Sequence, residues 1–293
     1  MAYGLLSDFL TYLRGSQAMR ELPRLLDAKM SFAQKRCQAR GRIQMSQKAS
    51  MNSSSRQTSP LSGAVALVTG GNRGIGRAIA LRLAKLGAGV AICGRDPQAL
   101  AATEAQLKNS GAPIFSQIAD VSRSAEVTTL VDKTQATLGP ISILVNNAGI
   151  GLFGPTHEKT EADWDRVLNT NLKSVFLVSR AVAPTMIERG SGDMINISSL
   201  AGRNAFAGGG IYCASKWGLL GLSACMAEDL REHGIRVSVI CPGSVATEFS
   251  ARGRKDPAKL LSPEDVAHAV EMIVTQSPES FLSEIHLRPL RKP

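Results

Sequence analysis

The stretch IYCASK, Ile211 to Lys216, sets a tyrosine four residues before a lysine, and Tyr212 is the only tyrosine beyond Tyr12. At positions i and i+4 of a helix the two side chains share a face, with Cβ atoms about 5–6 Å apart. A free tyrosine has a pKa near 10, which makes it a poor base at neutral pH. An ammonium at about 4 Å, with an effective dielectric of about 20, favours the phenolate by roughly 4 kcal/mol. That is about three pKa units, opposed by desolvation of the phenolate. Such a pair is suited to moving a proton on and off a substrate oxygen. By spacing alone the commoner reading is a surface pair without chemistry, so the surrounding elements must decide.

A second candidate lies 140 residues earlier. TGGNRGIG (69–76) follows the apolar run AVALVT and opens a helical stretch. Gly70, Gly74 and Gly76 are spaced GxxxGxG, and Asn72, Arg73 and Ile75 fill the turn. Glycines permit a tight turn and let the backbone approach a pyrophosphate seated on the positive end of the next helix. Alone, such a turn is as readily an ordinary loop. About 20 residues on, a dinucleotide fold that binds NAD carries an acid for the ribose 2′-hydroxyl. This chain has Gly94 there, then Arg95. An arginine can pair bidentately with a 2′-phosphate, and Arg73 could add a second cation. The expected cofactor is therefore NADP(H). Asp96 complicates this: turned toward the ribose, it would admit NAD.

The elements that must position these residues alternate. Strands are expected at 64–69, 89–93, 114–120, 141–147, 193–198, 235–241 and 283–288. Helices are expected after the glycine turn, with Gly87 as a stop, and near 97–109, 123–137, 161–187, 212–232 and 263–276. This order implies an α/β fold: a doubly wound, Rossmann-type parallel β-sheet with helices on both faces, in a single domain spanning 61–293. No second domain and no internal repeat follow residue 61.

NNAG (146–149), NTNL (169–172), SS (198–199), YCASK (212–216) and PGSVAT (242–247) then appear in fixed order. Together with the glycine turn, they resemble the short-chain dehydrogenase/reductase family in its compact single-domain branch, over residues 61 to about 276. The resemblance implies that Tyr212 is the catalytic acid/base and Lys216 its partner, which also holds the nicotinamide ribose. Ser199, 13 residues before the tyrosine, would position the substrate, and Asn171 would anchor a proton-relay water. Asp120 would contact the adenine, with Val121 beside it. Asn147, Ala148 and Gly149 would line the cofactor cleft, and Pro242, Gly243, Val245 and Thr247 would cradle the nicotinamide and diphosphate. By resemblance the chain would assemble as a homodimer or homotetramer through the helices near 161–187 and 212–232.

Composition bounds the rest. The 293 residues are 44 % hydrophobic and 20 % charged, an ordinary globular balance. Five scattered cysteines without a CxxC pair point to a reducing, cytoplasmic setting. Four lone histidines show no metal-ligand spacing, so no metal is expected. No apolar run reaches the length of a membrane span. The net charge of +10 sits mostly in residues 1–60, which carry 10 Lys/Arg against 3 Asp/Glu and leave 24 against 21 for the remainder. The folded part has no basic stripe with interleaved aromatics, which argues against nucleic acid. Three readings stand for the basic extension: a disordered tail, with Met51 as a later start; an organellar transit peptide; or a surface-binding amphipathic helix at 3–26.

Lesser signals complete the reading. FSARGRKDP (249–257) falls where the family has its substrate lid; Arg252, Arg254 and Lys255 could meet an anionic substrate or belong to a solvated loop. Trp164 and Trp217 are expected to pack against helices, Phe153 and Phe206 to flank the pocket mouth, and Cys213 to pack. The leading function is NADP(H)-dependent interconversion of a carbonyl and a secondary alcohol on a small-molecule substrate. Alternatives are a 3-oxoacyl-carrier-protein or coenzyme A reductase, weakened by the chain's final residues, a catalytically silent NADP-binding sensor, and a nucleotide-sugar epimerase or dehydratase, which would need a larger C-terminal part.

Overall fold

A computed structural model describes residues 59–249 and 256–291. The basic extension, apart from its last two residues, and the lid cations Arg252, Arg254 and Lys255 lie outside the described residues. Seven strands form the sheet: β1 Val65–Thr69, β2 Gly89–Gly94, β3 Ile114–Ile118, β4 Ile143–Asn146, β5 Gly192–Ile197, β6 Ile235–Pro242 and β7 Glu284–Leu287. Their order is β3-β2-β1-β4-β5-β6-β7, every pair parallel. The order reverses between β1 and β4. In doubly wound sheets, ligands bind beyond the carboxyl ends of the strands at such a point.

The helices are α1 Gly74–Lys85, α2 Pro97–Lys108, α3 Ser124–Leu138, α4 Glu161–Leu168, α5 Ser174–Arg189, α6 Gly210–Arg231 and α7 Pro263–Val274. Residues alternate along each strand between two cores. Ala66, Val68, Val90, Ile92, Ile143 and Val145 pack with α1, α2 and α7. Val65, Leu67, Ala91, Cys93, Leu144 and Met194 pack with α3, α5 and α6. The inner strands β1 and β2 are buried along their whole length because both faces are covered, whereas the edge strands β3 and β7 carry polar residues.

The expected helix at 161–187 is two helices joined by a π-helical turn, Asn169–Lys173. Such turns recur at functional sites. Gly87 ends α1 as expected, with φ of +94°. Trp164 and Trp217 correct the packing expectation: they are 48 % and 53 % exposed on α4 and α6. Among the described residues, no helix is long and apolar enough to cross a membrane.

Candidate active site

β1 delivers Thr69 to the switch point, and the chain turns there into α1. Gly74 holds a φ of +52°. A Cβ on Gly76 would lie 2.2 Å from the Gly70 carbonyl oxygen and 2.4 Å from Asn147 Nδ2, so the first turn of α1 packs on bare backbone. Asn147 braces this turn from β4. Its Nδ2 donates to the Thr69 and Gly70 carbonyls at 3.0 and 3.1 Å. The backbone N–H groups of Asn147 and Ala148 both donate to Thr69 Oγ1, at 3.0 and 3.1 Å. Asn147, expected to line the cleft, therefore spends its side chain holding the turn. No acid stands in the first turn of α1 and no side chain caps its N-terminus, so the positive end of the helix is open to an anion.

The next strand edge, at the end of β2, brings Gly94, Arg95 and Asp96 toward the glycine turn. A Cβ on Gly94 would lie 2.6 Å from Asn72 Cγ and Oδ1. An acid there would require the Asn72 side chain to shift, and Asn72 is buried, with Thr103 Oγ1 donating to its backbone carbonyl at 2.9 Å. Arg95 follows, its side chain 53 % exposed and Nη1 3.9 Å from Asp120 Oδ2. Asp96 is committed elsewhere: its Oδ1 accepts from the Gln98 and Ala99 N–H groups at 3.0 and 3.1 Å, capping α2. Asp120 lies two residues past the end of β3, beside the buried Val121. Burial opposes its ionisation, but hydrogen bonds from Ser122 and the charges of Arg95 and Arg123 hold its carboxyl below the usual range. Arg73 reaches across the cleft, Nη1 3.0 Å from Glu248 Oε2, both ends exposed. A Cβ on Gly74 would meet Thr247 Cγ2 at 3.3 Å, which places Thr247 against the glycine turn. The segment from Pro242 is anchored by Gly243 N–H donating to Leu287 and by a bridge from the buried Val245 to Leu261. Ile75 packs into the core below.

Tyr212 and Lys216 lie on the first two turns of α6, 8 % and 5 % exposed. Lys216 Nζ donates to the Ile197 carbonyl at 2.8 Å and lies 6.0 Å from the Tyr212 ring centre. A Cβ on Gly149 would come 3.9 Å from that Nζ, so the amine sits beside the NNAG segment. Burial pushes Lys216 down to about 8, opposed only by the nearby Cys241. Burial pushes Tyr212 up to about 12, against the hydrogen bond with Ser199 and aided by Cys213. The expectation that the ammonium alone would bring the phenol near neutrality is corrected: at this separation, desolvation prevails. Tyr212 holds its proton at neutral pH, the form that can donate. The Ser199 hydroxyl accepts from the Ala201 N–H at 3.1 Å and stands near enough to Tyr212 to act against the effect of its burial.

Asn171 sits on the π turn, 1 % exposed. Its Oδ1 accepts from Ile150 N–H at 2.8 Å, and its Nδ2 donates to the Ile150 carbonyl at 2.9 Å and to Ser215 Oγ at 3.0 Å. Ser215 in turn donates to the Tyr212 carbonyl at 2.7 Å. Asn171 thus ties the loop after β4 to α6. Sequence reasoning missed Ser215; its one signal is a small polar residue between Tyr212 and Lys216 on a helix face that had to be buried.

Histidine spacing also missed a grouping. Donor atoms of Cys241, Glu284 and His286 lie within 4.8 Å of one another on β6 and β7. Glu284 is already engaged, taking Arg203 at 3.2 and 2.7 Å and His286 Nε2 at 2.6 Å. With the carboxylate balanced by a guanidinium, the group is a strut holding β7 against the segment after Ser199.

The glycine cradle, the open helix end and the Asn72–Gly94 contact fit a dinucleotide. The comparisons agree. The sequence model described as short chain dehydrogenase matches residues 64–258. The ketoacyl reductase HetN of Nostoc sp. is 37 % identical over 231 residues, covering 74 % of this chain and 80 % of that protein. Gluconate 5-dehydrogenase of Gluconobacter oxydans is 39 % identical over 192 residues, 66 % of this chain and 75 % of that one. Among solved structures, a metagenomic short-chain oxidoreductase in complex with NADP is 43 % identical with a TM-score of 0.72, covering 80 % of this chain and all of that one. Levodione reductase is 29 % identical with a TM-score of 0.74, covering 78 % and 97 %. The chain belongs to the short-chain dehydrogenase/reductase family, whose sequence model spans its glycine turn together with Ser199, Tyr212 and Lys216.

Proposed function

We propose that the protein interconverts a carbonyl and a secondary alcohol, with NADP(H) preferred over NAD(H) and Tyr212 as the acid/base. The observation that carries this is the buried Tyr212 on α6, with the buried Lys216 amine 6.0 Å from its ring centre and the Ser199 hydroxyl beside it acting against its burial. The bound nicotinamide supplies hydride transfer to or from the carbon bearing oxygen. The chain supplies the rest. Ser199 and Tyr212 hold the substrate oxygen by hydrogen bonds, and Tyr212 gives it a proton as charge develops. Lys216 would hold the nicotinamide ribose and carry the replacement proton. The Asn171 side chain is spent on Ile150 and Ser215. A relay water would therefore be held by its backbone carbonyl.

NADP(H) preference rests on three residues. Asn72 fills the space an acid would need at Gly94, Asp96 is spent as a cap, and Arg95 is exposed and paired only loosely. Arg73 can join by releasing Glu248, an exposed pair of little worth. HetN and the actinorhodin polyketide ketoreductase solved with NADPH name keto-group reduction, which supports the reductive direction. Exposed Trp164, Phe176 and Trp217 on α4, α5 and α6 favour a homo-oligomer through these helices. Tyr212→Phe tests the reading: turnover is lost while NADPH binding stays nearly intact.

A further inference from the structure

Four aromatic rings, Tyr212 among them, form one cluster at the start of α6, and proton transfer requires only the tyrosine. Phe153 stands edge-on to Tyr212, ring centres 5.4 Å apart at 70°. Phe249 lies 5.9 Å from Tyr212 and 6.2 Å from Phe153, the latter at 89°. Phe206 flanks Phe153 at 6.0 Å. The three phenylalanines come from separate segments: the loop after β4, the stretch before α6 and the stretch after β6. They remain 41 %, 49 % and 42 % exposed in a chain with only 4 % aromatic residues. Glycines make room for them. A Cβ on Gly151 would lie 2.7 Å from both the Phe153 and Phe249 rings, and one on Gly209 2.6 Å from Phe206.

Polar groups near this cup are already engaged. Lys159 Nζ donates to the Phe153 carbonyl at 2.7 Å, Arg203 pairs with Glu284, and the Asn204 amide donates to the Leu200 carbonyl at 3.1 Å. Among the described residues, the wall beside Tyr212 thus offers a substrate ring faces and edges in place of cations. An exposed apolar grouping of this kind marks a binding surface. Resting on the carbonyl reading above, we infer that the substrate carries a flat aromatic ring beside its reacting carbon, as in an aryl ketone or its secondary alcohol. Phe153, Phe206 and Phe249 hold that ring edge-to-face. Each such ring pair contributes about two- to twelve-fold beyond the area it buries. A saturated ring of equal size forfeits that contribution, and among the described residues Phe153, Phe206 and Phe249 offer a polyhydroxy acid or charged thioester no polar side chain.

The test uses the full chain in two arms. In the first, kcat/KM with NADPH is compared for acetophenone, cyclohexyl methyl ketone, an acetoacetyl thioester, a keto-gluconate and a small diketone. Acetophenone is expected to exceed its cyclohexyl counterpart by about fivefold or more, and Phe153→Leu and Phe206→Leu each to remove most of that ratio through KM. The second arm needs no turnover: 1-phenylethanol and 1-cyclohexylethanol are titrated into the NADP+ complex of Tyr212→Phe, where the aryl alcohol binds tighter. Equal binding of the two alcohols, an aryl preference that survives both leucine variants, or a preferred thioester or keto-gluconate overturns the inference. Turnover of the diketone alongside those results leaves the carbonyl reading standing. Tighter aryl binding without turnover of any carbonyl sinks that reading and leaves the aromatic site in place.

Discussion

Removing the Arg95 guanidinium should shift the coenzyme preference from NADPH toward NADH. In the folded chain Arg95 Nη1 is 3.9 Å from Asp120 Oδ2, and its side chain is half exposed. That loose pair costs little to part, so the cation is free to meet a 2′-phosphate. A hydrogen bond to a charged group contributes about 1.5–3 kcal/mol. At about 1.4 kcal/mol per decade, Arg95→Ala raises KM for NADPH roughly 10- to 150-fold. Asp120 keeps its charge, since hydrogen bonds from Ser122 also hold its carboxyl low against burial. The variant therefore leaves a carboxylate near the phosphate, which sets the loss toward the upper end. NADH has no 2′-phosphate, and its KM changes less than about twofold. A companion variant sharpens the logic. Gly94→Asp alone does not create an NADH enzyme, because its Cβ would lie 2.6 Å from Asn72; with Asn72→Gly added, it does. Initial rates with both coenzymes, at fixed low ionic strength, give the answer. Equal losses with NADPH and NADH would make Arg95 a structural residue. An unchanged NADPH KM would place the 2′-phosphate elsewhere.

The remaining predictions concern the catalytic set. Ser199→Ala lowers kcat by about 10²–10³, the cost of one hydrogen-bond donor at a developing oxyanion. Because the Ser199 hydrogen bond holds Tyr212 down against burial, its loss also moves the alkaline limb of the alcohol-oxidation profile to higher pH. Lys216 loses its charge near pH 8, well below the usual lysine value, so kcat/KM for reduction falls as pH rises through about 8; a flat profile to pH 10 would contradict a working ammonium. Asn171→Ala leaves the Ile150 N–H and carbonyl without their side-chain partner. It lowers unfolding free energy by about 1–3 kcal/mol, read from urea denaturation.

What was legible in the sequence followed from short-range rules. AVALVT read as a strand buried on both faces, and β1 is buried throughout. The 3.6-residue spacing placed Tyr212 and Lys216 on one face of α6, and Gly87 marked the end of α1. What escaped depends on contacts between distant segments. The π turn at Asn169–Lys173 leaves no mark in the apolar periodicity of a stretch read as one helix. Asn147 read as cleft lining, but its amide meets Thr69 and Gly70, 77 residues away or more. Burial was invisible in spacing too: the same i, i+4 pair that seemed to lower the tyrosine instead has Tyr212 pushed up to about 12. Phe249 carried no signal of its own, since only the fold brings it to Phe153 and Tyr212. Gly94 was legible as the place where an acid is absent, but the contact that crowds an acid there, the Asn72 side chain 22 residues earlier, was not.

The central claim is that Tyr212 moves the proton that accompanies hydride transfer. The most direct measurement compares wild-type and Tyr212→Phe chains for NADPH consumption with a reducible ketone, alongside NADPH binding by fluorescence. The account predicts loss of turnover by at least about 10²-fold with coenzyme affinity unchanged, because the phenyl ring keeps the contacts with Phe153 and Phe249. A phenylalanine variant that turns over at the wild-type rate would contradict it.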